Sequence, residues 1–283
     1  MKNHFLKCMV IIAGVFTFSS CANLKQVNDF AATSLKGAAG FETLPYNFKQ
    51  VCLDNCTEKD IKENHLNPGE CNCTDPCRAD SVDYLLYKTI SAYLDGLQCL
   101  SNNELTTYQF NGLTDQLSGS GLEGLHISSE QSGAYGKLGN ILSKAITDGY
   151  RRNKIKVYIG EANEPLKILI HYLKFNLSEN LIAQLKTRQV GLKIDYFDLL
   201  KDQGSNAYDK RRIIEDYNFQ KAELDRKAAE LLCYAKLLQC IADGHQKLAD
   251  SLNGLNKAEV KMMITQYASN IKDIHTQIKL LKN

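Results

Sequence analysis

The residues best equipped for chemistry in this chain are cysteines. Cys52, Cys56, Cys71, Cys73 and Cys77 fall within 26 residues, and Cys99, Cys233 and Cys240 follow. Thiols at this density either oxidise in pairs or converge on a soft metal ion. The C-x3-C and C-x-C spacings, with His65 between them, supply soft ligands, but they match none of the C-x2-C pairs common in zinc sites. An even count of eight suits oxidation, so all eight are disulfide candidates and neither a metal nor another cofactor is expected. Five lie in one segment, so full pairing requires at least one to reach Cys99, Cys233 or Cys240. Cys233 and Cys240 cannot bridge each other: seven residues along a helix span about 10.5 Å, beyond the roughly 7 Å that a disulfide allows between α-carbons.

Other chemistry is sparse. Glu123 and His126 have the E-x-x-H spacing of di-iron bundles, but those sites need two such motifs and two further glutamates, and this one sits in a Gly-rich stretch. His245 falls on an apolar helical seam, where a satisfied buried histidine or a register-setting polar residue is the expected role. No H-E-x-x-H, G-K-[ST] phosphate loop, G-x-S-x-G elbow or dinucleotide fingerprint occurs. No catalytic residue is assigned, and the chain is not expected to be an enzyme. Arg151, Arg152, Lys154 and Lys156, with Lys210, Arg211 and Arg212, form two basic clusters that could touch anionic headgroups or cell-wall polymer; such runs are usually solvated helix faces.

The amino terminus sets the compartment. Lys2 and Lys7 precede and flank an apolar run, Cys8 to Phe18, whose eleven residues fall short of the about 20 needed to span a bilayer as a helix. Small residues follow, and Phe18-Ser19-Ser20-Cys21 resembles the lipobox of bacterial lipoproteins, with Phe18 where that family usually carries Leu. The resemblance covers only the first two dozen residues. It implies a signal peptide over residues 1–20, cleavage before Cys21 and lipidation (palmitate among the acyl groups) of that cysteine. Ala22 in the next position implies sorting to the outer membrane of a Gram-negative cell envelope. Ser20 and Ala22 also fit an ordinary secretory cut after Ala22. Without residues 1–20 the 34 basic residues fall to 32, matching the 32 acidic ones, and a neutral chain is a poor nucleic-acid binder.

These residues need elements to hold them, and the periodicity points to an all-α chain: an elongated antiparallel helical bundle with long C-terminal helices and a small cysteine-rich N-terminal loop region. Residues 21–45 read as a lipid-anchored tether or a short helix through Leu24, Val27, Ala31, Leu35 and Ala38. Residues 46–80, with Pro68, Gly69 and Pro76, read as the cysteine-rich loop segment, and 81–283 as the bundle. Within the bundle, helical spacing predicts Val82–Leu100, a helix over 104–117, another from Ser129 to Glu161, and a new start at Pro165 leading into a rod that ends near Leu200. Leu224, Ala228, Leu231, Ala235, Leu238, Ala242, His245, Ala249 and Leu252 then form a heptad seam, and a last helix runs to Leu281.

The functional expectation is a membrane-anchored envelope lipoprotein acting as a scaffold or binding module. Its expected partners are the membrane, through the N-terminal lipid, and an envelope protein or cell-wall polymer. The alternative is a secreted or surface membrane-active helical protein of pore-forming type. Against that alternative, no extended apolar hairpin is evident in the sequence.

Overall fold

A computed structural model describes residues 24–63, 69–102, 128–147, 154–201, 204 and 206–282. Cys21 and the signal-like segment, the helix expected over 104–117, Glu123, His126, His65, Arg151 and Arg152 lie outside them. Among the described residues there is no strand. The helices are α1 (Lys25–Ala38), α2 (Phe48–Lys62), α3 (Thr74–Asn102), α4 (Ser129–Thr147), α5 (Ile155–Phe175), α6 (Ile182–Lys201), α7 (Ala207–Asp250) and α8 (Ala258–Leu281). A short 3-10 turn, Ala39–Thr43, follows α1, and a π-helical segment, Asn176–Leu181, joins α5 to α6. The architecture is the expected all-α bundle with a disulfide-bonded cysteine-rich region.

One continuous apolar core runs through it, from Phe30 and Ala31 of α1 through Leu94 and Leu97 of α3 and Leu166 and Leu169 of α5 to Leu238 and Ile241 of α7 and Ile271 of α8. The heptad seam is buried at Leu224, Leu231, Leu238 and His245, as its spacing predicts. Tyr234, Leu237, Ile241 and Leu248 are buried as well, because α7 is packed on two sides, by α5 and α6 and by α1 and α8. α1 is a core helix rather than a tether. It runs antiparallel to α7: Phe30 lies beside Gly244, and the Tyr234 hydroxyl donates to the Ala38 carbonyl at 2.7 Å. The start of α1 therefore lies at the C-terminal end of α7, whose 44 residues extend about 66 Å to their other end.

Two local expectations differ from the structure. Of the helix expected from Ser129 to Glu161, α4 covers Ser129–Thr147 and α5 takes up from Ile155, with 148–153 outside the described residues. α5 then continues through Pro165, which is buried inside the helix rather than starting a new one. A mid-helix proline costs about 3 kcal/mol, and burial of Ile159, Ala162, Leu166 and Leu169 on the same helix offsets it. Finally, the cysteine-rich segment is more helical than its periodicity suggests, because α2 and the start of α3 occupy most of it. α2 buries only Val51, so it carries almost no apolar stripe for a sequence reading to detect.

Candidate functional site

α2 is held by caps and covalent links instead of a core face. Asn47 Oδ1 accepts from Gln50 N at 2.8 Å, and the Asp80 carboxylate of α3 accepts from Phe48 N and Lys49 N at 2.8 and 2.9 Å. Two disulfides complete the attachment, Cys52–Cys73 and Cys56–Cys71. The pairing follows from two periodicities. Residues four apart on a helix share a face, as do residues two apart on extended chain, so Cys52 and Cys56 meet Cys73 and Cys71 in nested order. Cys77 stays a thiol one turn further on, its N–H bonded to the Cys73 carbonyl at 2.9 Å. Full pairing would need a link from this segment to the bundle, and Cys77 makes none. Cys233 and Cys240 are half-buried thiols of α7, and Cys240 faces the Tyr267 carbonyl of α8 at 3.9 Å, away from the cluster. Burial pushes the Cys240 thiol up to about 11. Cys99 lies half-buried on α3.

From the cystine cluster, α2 runs along α6. Arg188 of α6 pairs with Asp54 and, at 3.3 Å, with Glu58, and Lys62 reaches Asp195 at 3.4 Å. α2 thus braces the root of a helical hairpin formed by α6 and α7. The hairpin is joined across its width by Gln189 Nε2 donating to Asp225 Oδ1 at 2.7 Å and by the Tyr196 hydroxyl donating to Asp216. Asn206 closes its tip with a capping box, its side chain accepting from the Asp209 backbone while Asp209 accepts from the Asn206 N–H.

Beyond this root the hairpin leaves the core. The last fully buried side chain of α6 is Leu185 and the first of α7 is Leu224. Between them the hairpin carries large apolar residues in solvent: Phe197 is 56% exposed, Tyr208 65% and Phe219 67%, with Val190, Ile194, Leu199 and Ile214 also exposed. A shallow groove of ≈ 180 Å³ lined by Tyr196, Phe197, Leu200, Ile213, Ile214 and Tyr217 lies among them. Lys201 sits 4.2 Å over the Phe197 ring, a cation above an exposed aromatic face. Single exposed apolar residues are ordinary; here several large ones share one hairpin.

A second concavity lies where the 3-10 turn meets α3. Phe41, Leu44, Tyr46, Tyr84, Leu177 and Leu181 wall a cleft of ≈ 460 Å³, and Glu42, Asp80 and Asp83 contribute carboxyls. Each carboxyl has protein partners. The Lys88 ammonium and the Tyr87 hydroxyl hold Glu42 below the usual carboxylate range. Asp80 caps α2, and burial raises it. Asp83 accepts from Asn176 Nδ2 at 2.6 Å, and burial drives it up to about 7. The cleft is thus built into the joint between α2, α3 and the π segment.

His245 is the one sequence-flagged histidine among the described residues, and it is a core residue. Its Nε2 accepts from the Tyr93 hydroxyl at 2.6 Å, and its Nδ1–H faces Asn163 Oδ1 at 3.1 Å, so both ring nitrogens of the neutral imidazole are used. Full burial depresses it to about 3. With the ring fully buried and both nitrogens held by Tyr93 and Asn163, its geometry is that of a core residue joining helices.

The hairpin surface and the carboxyl-bearing cleft escape a sequence reading. The apolar spacing of α6 and α7 looks the same whether a neighbouring helix covers it or not, and the Asp80 cap joins residues more than thirty positions apart. No helix among the described residues is long and apolar enough to cross a membrane. No protein family, curated protein or solved structure matches this chain.

Proposed function

We infer that this chain is a lipid-anchored envelope protein, held in the membrane through Cys21, that acts as a helical scaffold or binding module with no catalytic role. The observation that supports the reading is the placement of the two ends. Residue 24, three positions after the proposed lipid site, lies at the C-terminal end of α7, and the apolar hairpin occupies the opposite end, about 45–65 Å away. An anchor at one end and an uncovered apolar hairpin at the other suit a spacer that presents a docking surface away from its bilayer. The fitting partner is a protein with an amphipathic helix, which would lay its apolar face along the groove of Phe197, Leu200, Ile214 and Tyr217 as a further helix of the bundle. A Gram-negative outer membrane is the location proposed from Ala22.

The test is photocrosslinking in host cells from Ile194 and Phe219, with Glu164 on the bundle body as control, combined with mass analysis of Cys21. A discrete protein adduct from the hairpin positions alone, weakened at least tenfold by Ile214→Glu, together with acylated Cys21, is the expected result. Crosslinking of the hairpin to lipid instead would replace this reading with the membrane-active one. An unacylated chain beginning at Asn23 would remove the anchor.

A further inference from the structure

The four bridged sulfurs are closer together than two disulfides require. All four Sγ atoms of Cys52, Cys56, Cys71 and Cys73 lie within 4.8 Å of one another. Across the two bridges, Cys71 Sγ is 3.7 Å from Cys52 Sγ and 3.4 Å from Cys73 Sγ. A tetrahedral centre with zinc–sulfur bonds of about 2.3 Å has sulfur–sulfur edges of about 3.8 Å. These two non-bonded edges are therefore near the length a tetrathiolate needs, and every sulfur pair lies within 4.8 Å. Backbone placement favours the same outcome. A helix offering ligands four residues apart and a loop offering ligands two apart bring two pairs of thiols together, replacing the usual C-x2-C knuckle.

We propose that Cys52, Cys56, Cys71 and Cys73 form a redox-dependent metal site: reduced, the four thiolates hold one Zn²⁺; oxidised by exchange with two molecules of a disulfide compound, which accept the four electrons and leave as thiols, they become the two disulfides and the ion is released. Reduction by a dithiol is a four-electron step. Two dithiol molecules each transfer two electrons and two protons, breaking both sulfur–sulfur bonds, and leave as two cyclic disulfides. Binding of Zn²⁺ to the four thiols then releases four protons and gives a centre of net charge −2. Access is available, since Cys52 and Cys56 line an open cleft of ≈ 490 Å³ that Lys59 also borders. Because α2 buries only Val51, a cross-link of one kind or the other adds to the Asp80 cap in keeping it on α3.

The experiment uses the full chain, reduced with dithiothreitol, freed of it without air and titrated with Co²⁺ and then Zn²⁺. The expected result is one Co²⁺ per chain with the intense visible bands of tetrahedral thiolate ligation, displaced by one Zn²⁺, and four thiols protected from alkylation at these positions. Cys56→Ser and Cys71→Ser should each weaken binding at least tenfold, while Cys77→Ser, Cys233→Ser and Cys240→Ser leave it unchanged. The bundle core lies elsewhere, so circular dichroism of these variants should report intact long helices. A pale octahedral cobalt spectrum, fewer than one ion per chain, or binding abolished by Cys77→Ser would overturn the assignment.

Discussion

The Tyr93 hydroxyl donates to His245 Nε2 across 2.6 Å at the centre of the bundle, tying α3 to α7. Asn163 of α5 accepts from the other ring nitrogen and donates its own amide to Gln246 at 2.8 Å. Three helices are thereby keyed to one another by a neutral imidazole that protonation would disrupt.

That imidazole and the Asp83 carboxyl should give opposite pH dependences. His245 is depressed to about 3, so the unfolded chain takes up a proton first and stability is lost as pH falls below about 6.5, by roughly 1.4 kcal/mol per unit. Asp83 is raised to about 7, so its contribution is fully present below about 3.9 and is lost as pH rises toward 7, with a similar slope. Between pH 4 and 6.5 the two largely cancel in the native protein. Urea unfolding across this window should show Asp83→Asn gaining on wild type as pH rises and His245→Gln gaining on wild type as pH falls. Parallel curves for all three proteins would contradict both assignments.

Gly244 marks a contact that sequence periodicity cannot price. A methyl group there would fall inside contact distance of the Phe30 ring and 3.1 Å from Tyr267 Cβ, where α1, α7 and α8 meet. Gly244→Ala should cost about 1–3 kcal/mol, although alanine is the better helix former. Gly191→Ala, at a helical position with nothing within 4 Å of the added carbon, should stabilise by about 0.5–1 kcal/mol. Thermal melts of the two variants should move in opposite directions.

The attachment of α2 should behave as a local unit. Reducing both bridges in the presence of a chelator should release α2 amides to rapid hydrogen exchange, while those of α5 and the second half of α7 keep their protection. Each loop closed by a bridge, with sequence separations of 21 and 15, stabilises that unit by about 3 kcal/mol. Loss of protection throughout the molecule would show instead that α2 is integral to the bundle.

Glu230 is a fully buried carboxylate bonded by Arg226, which also holds Glu223 at 2.8 Å. One carboxylate oxygen, Glu230 Oε2, has no partner among the described residues. Arg226→Ala strips the compensation from a buried charge and should cost about 3 kcal/mol, whereas Arg226→Met with Glu230→Leu should stay within about 1 kcal/mol of wild type. Chemical denaturation of the single and double variants provides the comparison.

The helical class, the long C-terminal helices and the burial of the Leu224–Leu231–Leu238 seam were legible from the sequence, because a heptad encodes its own buried face within one helix. So was the presence of disulfides, since cysteine density is a local property, but not their connectivity. Pro165 misled as a helix start because its local cost is outweighed by a core assembled from distant helices. α2 was hidden because caps and cross-links, rather than an apolar stripe, hold it. Only the tertiary structure decided that Cys77 is left out of the pairing, that Asp80 caps a helix from another helix, and that Phe197 and Phe219 stay in solvent while Leu224 does not. Those outcomes depend on which neighbour occupies a given face, and periodicity states that a face is apolar without stating what covers it.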